Sequence, residues 1–579
     1  MKKTLVVLFV VLALLSLLAL TAIALIASLG EDTQSVESGS VLTIDLSQPV
    51  TELGTEPGLD ALLAGGGGMP LPARELAQAI ERAAEDDRIE AVLLHGGVTG
   101  STAALDALRD AVMRVRKADK PVVAYYGSLD ERTLWFASAA DEVWMEPMGM
   151  VLIDGFSIEI PYFGDMLAKY GIEVQVTRVG KYKSAVEPFM RSSMSAENRE
   201  QLSGMLTDIE ATIYSDIAKA RGTTLEELQS AAKRDGLVTS SDALARKWVT
   251  KLGSFGEALT HMKSLVGVDP DEALPQVDLV RYAKLTRKKQ PKGRVIELVQ
   301  AQGEIVDGSS SSGIGGDDLA ARLRAVRMDD DVAAVVLRVD SPGGSATASE
   351  AIRQEILALR SMGKPVVVSM GAVAASGGYW ISANANKIVA HPETITGSIG
   401  VFGMLPNVEK FALEHGVRSE SVSTSELAGW DSLMRRKTAA QLERVQAHVD
   451  DIYERFLVLV ADGRQLDKAK VAEIAQGRVW SGVQAKELGL VDELGGLDEA
   501  IELARTAAEL PDSAGVRVQR KQLDWIDQLV EDLIDERRPD LARMEQTPAM
   551  QAARMLARVQ ALAGNTGVVA RLPFDPDVR

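Results

Sequence analysis

Two stretches of this chain carry side chains whose types and spacing could do chemistry. The first is Val366-Val-Val-Ser-Met-Gly-Ala-Val-Ala-Ala-Ser-Gly-Gly-Tyr-Trp, which holds Ser376. Its apolar start, Val366 to Val368, reads as a buried parallel strand. Small residues from Gly371 onward let the backbone turn sharply and leave the Ser376 hydroxyl exposed where a helix begins. Unpaired N–H groups at a helix start can hold a developing negative charge, which is what a serine nucleophile needs. An ordinary tight strand-to-helix turn would look the same if it stood alone. The second stretch is Gly180-Lys-Tyr-Lys-Ser-Ala-Val-Glu-Pro-Phe189. A serine needs a base, and His95, His261, His391, His415 and His448 lie in no triad context. A lysine can serve if burial lowers its pKa, because desolvation disfavours the ammonium. Lys181 and Lys183 would share one face of an extended strand, with Tyr182 opposite. The residues alone leave the choice between them open, and either could be a plain surface lysine.

The elements around these stretches form a repeat. Val41-Leu-Thr-Ile-Asp pairs with Val295-Ile-Glu-Leu-Val, Glu85-Asp-Asp-Arg with Met328-Asp-Asp-Asp, and Lys120-Pro-Val-Val with Lys364-Pro-Val-Val. Ser195-Ala-Glu-Asn pairs with Thr438-Ala-Ala-Gln, a capping box, and Leu252-Gly253 with Leu494-Gly495. Order, spacing and residue type agree, so the chain holds two copies of one α/β module. In the second copy, strands over 333–339, 365–369 and 387–390 alternate with helices over 351–360 and after Ser376. That alternation implies a parallel sheet with crossover helices. Residues 284–292, basic and with Pro291, read as the linker, and the Gly/Ser-rich runs 65–68 and 308–316 as mobile loops.

Comparing the copies separates the chemistry. The spacing that carries Lys120 onto Lys364 carries Arg132 onto Ser376, so the first copy lacks the serine turn. The loop Asp340-Ser-Pro-Gly-Gly-Ser345 falls near His95-Gly-Gly-Val. Lys183 in turn falls on Ala428. One copy has the serine and the other the lysine, which reads as a dyad split between them.

Composition excludes several classes. The 579 residues are 46% hydrophobic and 25% charged, as in a globular protein. A net charge of −19 argues against a nucleic-acid partner. The absence of cysteine excludes disulfides, a thiol nucleophile and thiolate metal sites. His-Glu-x-x-His and Walker patterns are missing, so no metal or nucleotide cofactor is expected. After Met1-Lys2-Lys3, the uncharged run 4–30 is too long for a signal core and reads as an uncleaved transmembrane anchor. Its lysines should stay in the cytoplasm and the body outside. The competing reading is a long signal cleaved near Ala27-Ser28-Leu29.

Four motifs together carry a resemblance: Tyr182-Lys-Ser-Ala-Val-Glu-Pro-Phe189, Ser341-Pro-Gly-Gly-Ser345, Ala375-Ser-Gly-Gly-Tyr379 and Thr396-Gly-Ser-Ile-Gly-Val-Phe402. The chain resembles the signal peptide peptidase A family in its long bacterial form, protease IV, over roughly residues 1–510. The resemblance implies Ser376 as nucleophile, Lys183 rather than Lys181 as general base, Ser398 orienting the lysine, and an oxyanion hole from Gly343 and Gly377. It also implies tandem modules of the Clp protease/crotonase type, a tetramer, and remnant signal peptides as substrates at the bacterial inner membrane, with the catalytic body on the periplasmic side. The expected division is an anchor over 1–30, a lysine-bearing repeat over 31–283, a linker over 284–294, a serine-bearing repeat over 295–510 and a helical tail over 511–579. An inactive membrane scaffold or an acyl-CoA enzyme could be built on the same fold. The Ser/Lys motifs and the anchor favour the protease.

Overall fold

The computed structural model describes residues 35–52, 71–287, 291, 293–310, 313–519 and 568–571. The anchor over 1–30 and the glycine run 65–68 lie outside them. Among the described residues no helix is long and apolar enough to cross a membrane.

Two mainly parallel sheets carry the fold, and six strands of one correspond in order to six of the other. In the first copy the order across the sheet is Gln276–Asp278, Ser40–Thr51, Ile89–Gly100, Val122–Tyr126, Glu142–Met145 and Lys251–Leu252. In the second it is Val516–Val518, Val295–Gln302, Val332–Ser341, Val366–Ala375, Lys387–Ala390 and Glu493–Leu494. These strands are runs of Val, Ile, Leu and Ala because helices cover both faces. The predicted helix pair is also present. Ala196–Arg221 is capped by Ser195, and Ala439–Arg464 by a full capping box on Thr438.

Several boundaries differ from the sequence reading. The repeat does not stop at 510, since Val516–Val518 is the counterpart of Gln276–Asp278 and closes the second sheet. The tail expected to be helical over 511–579 contains two strands, Val516–Val518 and Val568–Arg571. Three residues are too short a run for hydrophobic periodicity to mark. The run 308–316, expected to be a mobile loop, contributes Ile314–Gly315 to a sheet and then starts the helix Gly316–Met328. The proposed linker begins inside the helix Leu279–Leu285.

A third sheet joins the copies. Its order is Ile314–Gly315, Ile305–Val306, Gly343–Ser345, Val568–Arg571, Phe402–Asn407 and Glu173–Arg178. The pairing of Phe402–Asn407 with Glu173–Arg178 is antiparallel and crosses from the second copy to the first. The first copy's core also takes in Val373, Ala375, Ile395 and Val479 of the second. Two buried ion pairs reinforce the seam. His391 Nε2 lies 3.0 Å from Asp106 Oδ2. Burial opposes the charge on that imidazole, but the nearby carboxylates of Asp106 and Glu393 outweigh it and push its pKa up to about 10. Arg338 Nη2 lies 2.7 Å from Glu52 Oε1, and both side chains are almost fully buried. Arg338 also donates to Ser369 Oγ and the Met370 carbonyl. Replacing Glu52 with alanine strands the guanidinium in a dry seam. Urea unfolding should show a loss of about 3–5 kcal/mol, the usual result of removing one member of a buried pair.

Candidate active site

The strand Val366–Ala375 runs past Ser369, where the sequence reading ended it, and the chain reverses at Ser376 itself. Ser376 takes φ 56° and ψ −113°, a left-handed conformation that a non-glycine residue adopts only when its surroundings enforce it. Its N–H donates to the Gly397 carbonyl at 2.8 Å, and its carbonyl accepts from the Trp380 N–H at 2.8 Å. The helix Gly377–Ser382 follows at once. Gly377 has no room for a side chain, because a Cβ there would sit 2.7 Å from Ser349 Oγ and 3.1 Å from the Gly343 Cα. That close approach brings the Ser341–Ser345 loop alongside the serine.

Lys183 arrives from the other copy. Residues 180–185 form a turn rather than the extended strand expected of them. The turn separates the two lysines. Lys181 is exposed and its Nζ lies over the Tyr182 ring, whereas Lys183 is completely buried. The Lys183 Nζ lies 2.8 Å from Ser376 Oγ, 3.0 Å from Ser398 Oγ and 3.1 Å from the Ser398 carbonyl oxygen. Burial alone lowers its pKa well below the usual lysine value. A neutral amine has two N–H donors and one lone pair. The two donors fit the two Ser398 oxygens, which leaves the lone pair for the Ser376 hydroxyl. Ser398 also holds a positive φ, of 50°.

The expected site residues therefore come together, with one qualification of geometry. The Gly343 N–H lies 3.2 Å from Ser341 Oγ and donates to it. The Gly377 N–H opens a helix and has no carbonyl four residues back.

Sequence reasoning missed the supports. Gly477, at φ +74°, forms one wall of the lysine slot, and a Cβ on it would sit 2.6 Å from the Lys183 Cβ. Tyr182 N–H donates to the adjacent Gln476 carbonyl at 3.0 Å. Ser184 Oγ donates to Asn198 Oδ1 at 2.8 Å, and Gln201 Nε2 donates to Ser184 Oγ at 3.0 Å. Gln201 Oε1 in turn accepts from the Val479 N–H of the second copy at 3.1 Å. The one visible signal was the cap pattern at Ser195, which places Asn198 and Gln201 in the first turns of a helix. A lone glycine after Gln476 carries no such signal.

Comparison with known proteins supplies the class. The chain is 38% identical over 450 residues to Protease 4 of Haemophilus influenzae, spanning 74% of this chain and 71% of that one. It is 38% identical over 447 residues to Protease 4 of Salmonella typhi, spanning 75% and 72%. To the chloroplastic serine protease SPPA of Arabidopsis thaliana it is 32% identical over 494 residues, spanning 83% and 70%. The protein is a serine protease. The family model of peptidase family S49 matches residues 114–269 and again 358–511, once in each copy, and the chain belongs to that family.

Proposed function

We propose that this protein is a membrane-anchored endopeptidase that degrades cleaved signal peptides with a Ser376/Lys183 dyad. The observation that carries the reading is the 2.8 Å contact between a fully buried lysine amine of one copy and the hydroxyl of the other. Neutral Lys183 accepts the Ser376 proton as Oγ attacks a peptide carbonyl. The Gly377 amide, with the Gly343 amide once it turns from Ser341, holds the oxyanion. Protonated Lys183 then gives its proton to the leaving amine, and water hydrolyses the acyl-enzyme. Ser398 keeps the amine aimed throughout. No step calls for a metal or cofactor.

The names of relatives support the substrate class. One shorter relative, from Enterococcus faecium, is named a putative signal peptide peptidase and is 34% identical over 192 residues. The apolar run 4–30 supports a single-pass anchor in the bacterial cytoplasmic membrane, with the catalytic body on its outer side. A Clp protease-like module fold and a homotetramer complete the proposal.

The test uses the full chain in detergent or vesicles with a synthetic signal peptide. A fluorophosphonate probe should label the wild type and not Ser376→Ala, and the same substitution should leave the peptide intact. Labelling with no cleavage of any signal peptide would refute the substrate class and keep the nucleophile. Labelling that survived Ser376→Ala would refute the nucleophile.

A further inference from the structure

The second copy's segment 476–480 lies between the lysine turn and the strand that leads to Ser398. On one side the Ser398 N–H donates to the Arg478 carbonyl at 2.7 Å, and the Gly477 N–H donates to the Ile399 carbonyl at 2.8 Å. Val479 and Trp480 then pair antiparallel with Gly397 and Thr396. On the other side Gly477 packs on the Lys183 backbone, and the Gln476 carbonyl accepts from the Tyr182 N–H. The separation of Lys183 from Ser398 is therefore set by a spacer one chain segment thick.

The Arg478 side chain leaves this spacer and reaches into the first copy. Its guanidinium carbon lies 4.8 Å from the centre of the Tyr182 ring and 4.4 Å from that of Trp480. Its Nη1 donates to Tyr182 Oη at 3.2 Å and to Glu200 Oε1 at 2.8 Å. Trp480 is itself fixed, since its Nε1–H donates to the Ile474 carbonyl at 3.0 Å. A flat guanidinium suits a place between two rings better than an ammonium does. Tyr182 is buried and directly precedes the lysine, so what fixes Tyr182 fixes the turn. Among the described residues the hydrogen-bond partners of the Lys183 amine, Ser376 and Ser398, both belong to the second copy. Other charged groups of the turn are directed elsewhere. Lys181 Nζ lies over the Tyr182 ring, and Arg178 Nη1 donates to the Lys183 carbonyl, with Glu187 Oε1 3.9 Å from it.

Resting on the Ser376/Lys183 reading, we propose that Arg478 is a positioning residue for Lys183, clamping the lysine turn of the first copy to the segment of the second that holds Ser398. Its carbonyl fixes the serine that orients the amine, and its guanidinium fixes the residue beside the lysine. It touches no reacting atom. Without the clamp the turn lifts, which lengthens the contact to Ser376 and lets water into the slot. A misplacement of about 1 Å at a catalytic group can cost about 10²-fold in rate. Hydration also returns the lysine toward its ordinary pKa.

The experiment compares the full chain with Arg478→Ala and Arg478→Lys. The lysine variant keeps a charge for Glu200 but cannot stack between the rings, and it carries the same test if the alanine variant fails to fold. The rate of fluorophosphonate labelling should fall about 10²-fold in Arg478→Ala and about tenfold or more in Arg478→Lys. Turnover of an internally quenched apolar peptide should fall in step, with KM unchanged. The acid limb of the pH–rate profile should move to higher pH, because a hydrated Lys183 keeps its proton longer. A merely structural Arg478 would lower the melting temperature and leave that limb where it stands in wild type. An unmoved limb, or labelling within twofold of wild type in both variants, overturns the proposal. Labelling needs the dyad but no particular substrate, so it separates the two readings. A wild type that labels while Arg478→Ala labels as fast overturns the clamp and keeps the dyad, whereas a wild type that does not label overturns both.

Discussion

Replacing Ser376 with alanine should lower turnover of a signal peptide by about 10⁴–10⁶-fold while leaving assembly and melting temperature near wild type. The size of the loss follows from the geometry. In the proposed dyad Ser376 Oγ is the nucleophile, 2.8 Å from the lysine amine that would activate it. Ser398 is the other hydroxyl in reach of the amine, at 3.0 Å. It follows Gly397 rather than preceding a helix, so it lacks the oxyanion donors at Gly377. Steady-state hydrolysis and circular dichroism on the same preparation check both halves. Turnover within tenfold of wild type would remove Ser376 from the reaction.

Lys183→Met should lower kcat/KM by about 10³-fold or more, within the range general-base removal spans. The same substitution should raise stability at neutral pH. Burial depresses the folded-state pKa of Lys183, whereas the unfolded chain holds its proton up to the ordinary lysine value. Between those two values the unfolded state binds more protons than the native state, so stability climbs with pH across that window. At lower pH the native amine must be charged in a dry slot or the slot must open. Methionine fills similar volume without that cost, so its melting temperature should be higher, at roughly 2–4 °C per kcal/mol for domains of this size, and should vary less with pH. In the wild type, activity should fall as pH drops through the depressed value, because the ammonium cannot accept the Ser376 proton. Melting curves and pH–rate profiles of the two proteins measure both effects. An acid limb that persisted in a residually active Lys183→Met protein would assign the titration to another group.

Much of this was legible in the chain because the signal was duplicated. Lys120-Pro-Val-Val and Lys364-Pro-Val-Val mark equivalent strands, and the pairing exposed Ser376 and Lys183 as unmatched residues. What sequence reading lost was local backbone geometry. Alternation cannot tell a strand from a turn over four residues, so Lys181 and Lys183 looked equivalent until the turn at 180–185 put one in solvent and the other in the core. Short partner strands such as Val516–Val518 exist only because Val295–Gln302 offers an edge. Gly477 shapes the lysine slot from nearly three hundred residues away, a contact that no local pattern contains.

The wall that Gly477 supplies has a consequence for the life of the chain before it is finished. The lysine emerges from the ribosome first, the serine long after it, and the turn that closes around the lysine later still. A partly synthesised molecule therefore has no working blade, and cannot injure itself or its neighbours while its first module waits for the second. On the proposed dyad, proteolytic competence arrives only when the two halves dock.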